Sequence, residues 1–135
     1  MDRLFLDANV LFSAAHRPGR RLSQLWALDD AELLTSEYAV EEARRNLKTP
    51  EKRERLDRIV RDLQVVSLIR ADLPAAASVL PAKDQPILAA AIQCGATHLL
   101  TGDLGHFGPL LGQYSEGVLI LTPGQYLDDH QSKSS

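Results

Sequence analysis

Arg3-Leu4-Phe5-Leu6-Asp7-Ala8-Asn9-Val10-Leu11-Phe12-Ser13-Ala14-Ala15 gives a short apolar run, an acid, and then a helical pattern. The run before Asp7 is nearly all apolar, as a strand reads when both of its faces are covered. Ala8 to Ala15 reads as the helix that leaves it. The same alternation recurs downstream. Glu32–Thr35 is a second short run ended by Ser36, and Glu37–Leu47 follows with Ala39, Val40, Ala43 and Leu47 on one helical face. Val65–Leu68, His98–Thr101 and Val118–Leu121 complete five expected strands. Between them lie helical stretches at Arg20–Leu28, at Glu51–Asp62 after the break at Pro50, and at Leu73–Leu80 before Pro81. Another opens at Asp84 with Pro86 in its first turn, carries Ile87, Ala90, Ala91 and Cys94 on one face, and stops at Gly95. Strands that alternate with helices imply right-handed crossovers and parallel pairing. The expected fold is α/β, a three-layer α/β/α sandwich around a central, mostly parallel five-stranded sheet.

Composition agrees with a single globular unit. The 135 residues are 44% hydrophobic and 24% charged, ordinary globular usage that argues against disorder. Residues 1–127 are expected to form one domain, and the polar end, 128–135, to fray. No stretch approaches the roughly 20 apolar residues that span a bilayer. Asp2 and Asp7 flank the first apolar run, which makes it a poor signal peptide. A lone cysteine, Cys94, excludes an internal disulfide and a cysteine-based zinc cluster. The expectation is a soluble, cytoplasmic protein. The net charge of −3 excludes a globally basic nucleic-acid binder, so a polyanion needs a local basic patch or bound cations. Aromatics at 5% leave little for a stacking platform.

In a parallel α/β sheet, ligands bind beyond the carboxyl ends of the strands. The first strand ends at Asp7 and the fourth at Asp103. Asp84 starts the helix that feeds the fourth strand, and Glu42 lies six residues after Ser36 on the helix leaving the second. Four acids from four segments are thus expected at one edge, Asp84 on the condition that its helix starts at the carboxyl edge. Clustered carboxylates repel and raise one another's pKa, and a divalent cation reverses that cost. Mg²⁺ or Mn²⁺ takes oxygen ligands, and such ions serve phosphodiester hydrolysis. Each acid also has a plain structural reading. Asp7 and Asp84 suit helix caps, Asp103 suits a turn, and Glu42 suits a solvated helix face.

Four blocks then resemble PIN-domain proteins. Leu6-Asp7-Ala8-Asn9-Val10-Leu11 resembles their opening motif, in which the first strand ends in Asp-x-Asn. Ser36 followed six residues later by Glu42 resembles the second block and selects Glu42 over Glu41. Asp84-Gln85-Pro86-Ile87 resembles the third, and Thr101-Gly102-Asp103-Leu104 the fourth. The likeness spans residues 4–107 and leans toward short stand-alone bacterial PIN ribonucleases of the VapC toxin type. It implies a Mg²⁺- or Mn²⁺-dependent endoribonuclease with Asp7, Glu42, Asp84 and Asp103 as its catalytic and metal-holding tetrad. Asn9, Ser36 and Thr101 would orient the carboxylates. It also implies an RNA substrate, and allows an antitoxin partner and a homodimer, for which Trp26 could serve if it is not core.

The block from Gly102 to Pro109 departs from the usual toxin pattern in its extra glycines and in His106, read here as an ordinary loop histidine or as a phosphate or proton contact. Arg17, Arg20, Arg21 and Arg44 are the expected RNA contacts, being nearest the acids in the predicted layout. The alternating charges of residues 51–62, with Glu51–Arg55, Glu54–Arg58 and Asp57–Arg61 at i, i+4, read as surface pairs. A non-catalytic PIN-like module that binds RNA or protein is the alternative. An aspartyl phosphatase is disfavoured because Asn9 stands where a second Asp is usual.

Overall fold

The computed structural model describes residues 1–67 and 79–134. In chain order these form β1 (Asp2–Leu6), α1 (Ala8–His16), α2 (Arg20–Ser23), β2 (Ala31–Ser36), α3 (Glu37–Asn46), α4 (Pro50–Val60), β3 (Gln64–Val66), α5 (Gln85–Gln93), β4 (His98–Leu100), β5 (Tyr114–Ser115), β6 (Val118–Leu121) and α6 (Pro123–Ser134). The strands make one six-stranded sheet in the order β3-β2-β1-β4-β6-β5. Every pairing is parallel except β5 with β6. The α/β architecture matches the sequence reading, with a strand more than the five expected.

The extra strand is only two residues long and polar. It turns into β6 through Glu116-Gly117, both with positive φ (47° and 87°). A two-residue loop of that shape matches the twist of an antiparallel hairpin. The third strand begins at Gln64 and ends at Val66, shorter than expected, and Leu68 lies outside the described residues, as does most of the helix expected at 73–80. The second helical stretch splits into α2 and a 3-10 turn at Gln24–Ala27. The polar end, expected to fray, continues α6 as far as Ser134.

Leu4, Phe5 and Leu6 of β1 are wholly buried, as are Leu99 and Leu100 of β4, because both faces of the sheet are covered. The crossovers from β1 to β2 to β3 run one way along the sheet, and that from β3 to β4 runs back. With right-handed connections this places α1–α4 and α5 on opposite faces. Helix α5 ends as its sequence demands. Gly95 takes φ +74° and donates to Ile92 O (3.2 Å), while Ala96 donates to Ala91 O (3.0 Å). That bond pair is a Schellman stop. Trp26 is half-buried against the core and donates from Nε1 to Ile59 O (3.1 Å), which favours its core role. No helix among the described residues is long and apolar enough to cross a membrane.

Candidate active site

Strand order reverses around β1, which has β2 on one side and β4 on the other. A crevice at such a reversal is where ligands of open α/β sheets bind. Asp7 follows β1, and its N–H donates to Leu100 O (3.0 Å), the last residue of β4. The loop after β4 therefore starts beside Asp7.

Asp7 is buried, 4% exposed. Its Oδ1 accepts from the N–H of Ala8 at 2.6 Å, so it does help to cap α1. Its Oδ2 accepts from Thr101 Oγ1 (2.8 Å) and from Asn9 Nδ2 (3.2 Å). Asn9 Oδ1 in turn accepts from the N–H of Gly102 (2.8 Å), and Thr101 Oγ1 accepts from that of Asp103 (3.1 Å). Asn9 and Thr101 thus tie the first acid to the loop that carries the last. Burial pushes the Asp7 pKa up to about 6, opposed by the bonds from Thr101 and Ala8 and reinforced by Asp84 and Asp103.

Asp84 overturns its capping reading. It precedes α5 with helical backbone angles (φ −96°, ψ −15°), and its side chain makes no capping bond. A side-chain cap needs extended backbone at that position. The residue is 8% exposed, and its buried Oδ2 receives no hydrogen bond. That oxygen lies 2.8 Å from His106 Nδ1, an ion-pair distance. Burial raises the Asp84 pKa, and the neighbouring His106 pulls against that rise while Asp103 adds to it.

Asp103 accepts from the backbone N–H of His106 at Oδ1 (2.9 Å), closing a tight turn. Its Oδ2 lies 3.0 Å from His106 Nδ1. His106 is therefore no ordinary loop histidine: its ring nitrogen sits between two of the acids. Glu42 is half-buried on α3 while Glu41 is exposed, in keeping with the register counted from Ser36. Burial raises the pKa of the Tyr38 hydroxyl one turn earlier, and the Glu42 carboxylate adds to the rise. Tyr38 donates to Lys83 O (2.6 Å), joining α3 to the start of α5.

Asp7, Glu42, Asp84 and Asp103 all line one cleft of about 440 Å³, together with Asn9, Asn46 and Lys83. Two expectations change. Ser36 accepts from the N–H of Ala39 (3.1 Å) and caps α3, so it sets the helix that carries Glu42 rather than orienting a carboxylate. None of Arg17, Arg20, Arg21 and Arg44 is among the residues lining the cleft. Arg21 is ion-paired with Asp128 on α6, and Arg44 with Asp57 on α4 (2.5 Å), while Arg17 and Arg20 are exposed to solvent. Among the described residues the cation lining the cleft is Lys83, which the sequence reading missed. Its signal was adjacency to Asp84.

The four carboxylates of the cleft suit a divalent cation, and one of their oxygens is buried with no hydrogen bond among the described residues. Single ligand atoms of Asp84, Asp103 and His106 lie within 4.8 Å of one another.

A layered α/β fold with acids gathered at its topological switch point is what the resemblance to PIN domains implies, and comparison with known families supports that fold. The PIN-domain family (PIN_3) matches residues 3–105, and the chain belongs to that family. Its structure is similar to a chain of VapBC2 from Rickettsia felis bound to a DNA fragment from their promoter. That match has TM-score 0.67 and 13% identity, covering 89% of this chain and 98% of the other. It is also similar to Mycobacterium tuberculosis VapC20, a toxin that cleaves the sarcin-ricin loop. Here the TM-score is 0.58 and identity 15%, covering 84% and 97%. No curated protein matches the sequence.

Proposed function

We propose that this PIN-domain protein is a metal-dependent endoribonuclease that hydrolyses RNA phosphodiester bonds. The observation that carries this is the convergence of four carboxylates, from four separate elements, on one cleft. Structural needs explain only part of it, because Asp84 forgoes the cap it is placed to make. Asp7, Glu42, Asp84 and Asp103 would hold Mg²⁺ or Mn²⁺. Bound there, the ion supplies an activated water and offsets charge on the phosphodiester.

The chain's own residues do the rest. Thr101 and Asn9 fix the Asp7 carboxylate in one orientation through its Oδ2. Tyr38 ties the helix carrying Glu42 to the segment carrying Asp84 through Lys83 O. The Lys83 ammonium offers the cleft a cation for a phosphate of the RNA. The likeness to VapC toxins supports a further step, that this enzyme is the toxin of a toxin–antitoxin pair, held by an antitoxin.

The test is cleavage of a labelled structured RNA pool by pure protein with Mg²⁺, Mn²⁺ or EDTA, beside Asp7→Asn and Asp103→Asn. Asn keeps the capping and turn bonds but is a poor cation ligand. Metal-dependent cutting by wild type, lost in both folded variants, is expected. RNA binding without cutting, unchanged by EDTA or by either substitution, would instead establish a non-catalytic RNA-binding module.

A further inference from the structure

His106 stands apart from the tetrad. It comes from the loop after β4, three residues beyond Asp103, and its Nδ1 lies 2.8 and 3.0 Å from Oδ2 of Asp84 and Asp103. Adjacent ligands around an octahedral ion with bonds of about 2.1 Å lie about 3 Å apart. The two separations at His106 are of that size. The Asp84 oxygen it faces is buried and receives no hydrogen bond, on a residue 8% exposed. A surface ion pair would leave that oxygen to water. Here the ligand atoms of Asp84, Asp103 and His106 all lie within 4.8 Å of one another.

We propose that His106 is a metal ligand, and that its nitrogen makes this site select a transition ion such as Mn²⁺ over Mg²⁺. This rests on the metal-binding reading of the acidic cleft. Mg²⁺ is served by oxygen donors, whereas first-row transition ions accept imidazole with affinities that rise along the series from Mn²⁺. Two carboxylates and one imidazole therefore make a borderline donor set where four acids alone would make a hard one. The turn that presents the ring is built in, since the His106 N–H is held by Asp103 Oδ1 at 2.9 Å. Asp103 thereby positions the histidine as well as facing it.

The experiment uses Mn²⁺ itself as the probe, with no RNA and no turnover. Electron spin-echo envelope modulation is recorded on Mn²⁺ bound to the full-length protein, prepared with natural or ¹⁵N-labelled histidine. Mn²⁺ and Mg²⁺ affinities are measured by titration for wild type, His106→Ala and His106→Asn. The expected result is a nitrogen coupling that changes with the isotope and vanishes in His106→Ala. The ratio of Mn²⁺ to Mg²⁺ affinity should drop about tenfold in both variants, mostly through Mn²⁺. The His106 side chain is 39% exposed, so these substitutions spare the core. Mn²⁺ bound without nitrogen coupling, and an affinity ratio unchanged in the variants, would overturn the proposal and leave the acidic metal site standing. Absence of any Mn²⁺ binding by wild type would overturn both.

Discussion

Asp7 serves two masters, and the conflict between them can be measured. It caps α1 through Oδ1 and receives Thr101 and Asn9 at Oδ2, yet burial still pushes its pKa up to about 6. In the metal-free protein the folded state holds a proton that the unfolded chain releases near 3.8. Between those values the folded state binds more protons, so this group's contribution to stability falls as pH rises from about 4 to about 6 and is flat above. A rise of that size corresponds to about 3 kcal/mol. Urea unfolding in EDTA should therefore show Asp7→Asn gaining on wild type across that window, by up to about 3 kcal/mol near pH 7.5. Saturating Mn²⁺ should reverse the order, since the ion stabilises only the protein that binds it. Equal stability of the two proteins at all pH values would refute this account. Asp84 gives the complementary case. A true cap costs about 1 kcal/mol when lost, but its side chain caps nothing. Asp84→Ala should leave the metal-free protein as stable as wild type or more so, while weakening Mn²⁺ binding. A loss of about 1 kcal/mol in EDTA would restore the capping role.

Helices and strands carry these side chains, and their legibility differed for physical reasons. Where one residue both ends an element and faces the cleft, local pattern sufficed. Asp7 closes an apolar run and Asp103 follows another, whereas Glu42 was picked over Glu41 by the resemblance to PIN domains, through its count from Ser36. Hydrophobic periodicity also found every α-helix of the described residues except α6, whose polar sequence carries no apolar stripe and which was expected to fray. It failed at β5, because a two-residue strand has no period and Tyr114-Ser115 has no apolar run to betray it. The family resemblance, not periodicity, gave Ser36 its carboxylate-orienting role, and a hydroxyl at the mouth of the site and a hydroxyl at a helix start look alike in sequence. In the fold Ser36 caps α3. Ser36→Ala should cost about 1 kcal/mol, or about 4 °C in Tm. It should leave Mn²⁺ affinity within a factor of two or so of wild type, because α3 is also pinned by Tyr38 and by packing on α1. A large loss of Mn²⁺ affinity with Tm unchanged would return Ser36 to the site.

Charge at the scale of the whole molecule was the least legible property, because pairing partners lie far apart in the chain. Helical spacing joins Asp57 to Arg61, yet Asp57 pairs with Arg44, 13 positions earlier. Arg21 reaches Asp128, 107 positions away. Two of the four arginines expected to hold RNA are thus engaged on the protein's own acids, and among the described residues the cleft has one lining cation, Lys83, beside its carboxylates. With a net charge of −3, the protein has little general attraction for a polyanion. Each phosphate neutralised by a side chain steepens the salt dependence of binding by about 0.7–0.9 in log–log slope. Lys83→Gln should therefore weaken RNA binding and flatten that slope by about 1, whereas Arg21→Gln and Arg44→Gln should change it little. Fluorescence anisotropy of a labelled RNA, titrated in Ca²⁺ at several salt concentrations, measures all three. Ca²⁺ takes the same oxygen donors, so the acidic cleft is neutralised in the same way throughout the series. If Arg44→Gln flattens the slope and Lys83→Gln does not, the Arg44–Asp57 pair opens on RNA, and the RNA path runs over α3 and α4 rather than past the start of α5.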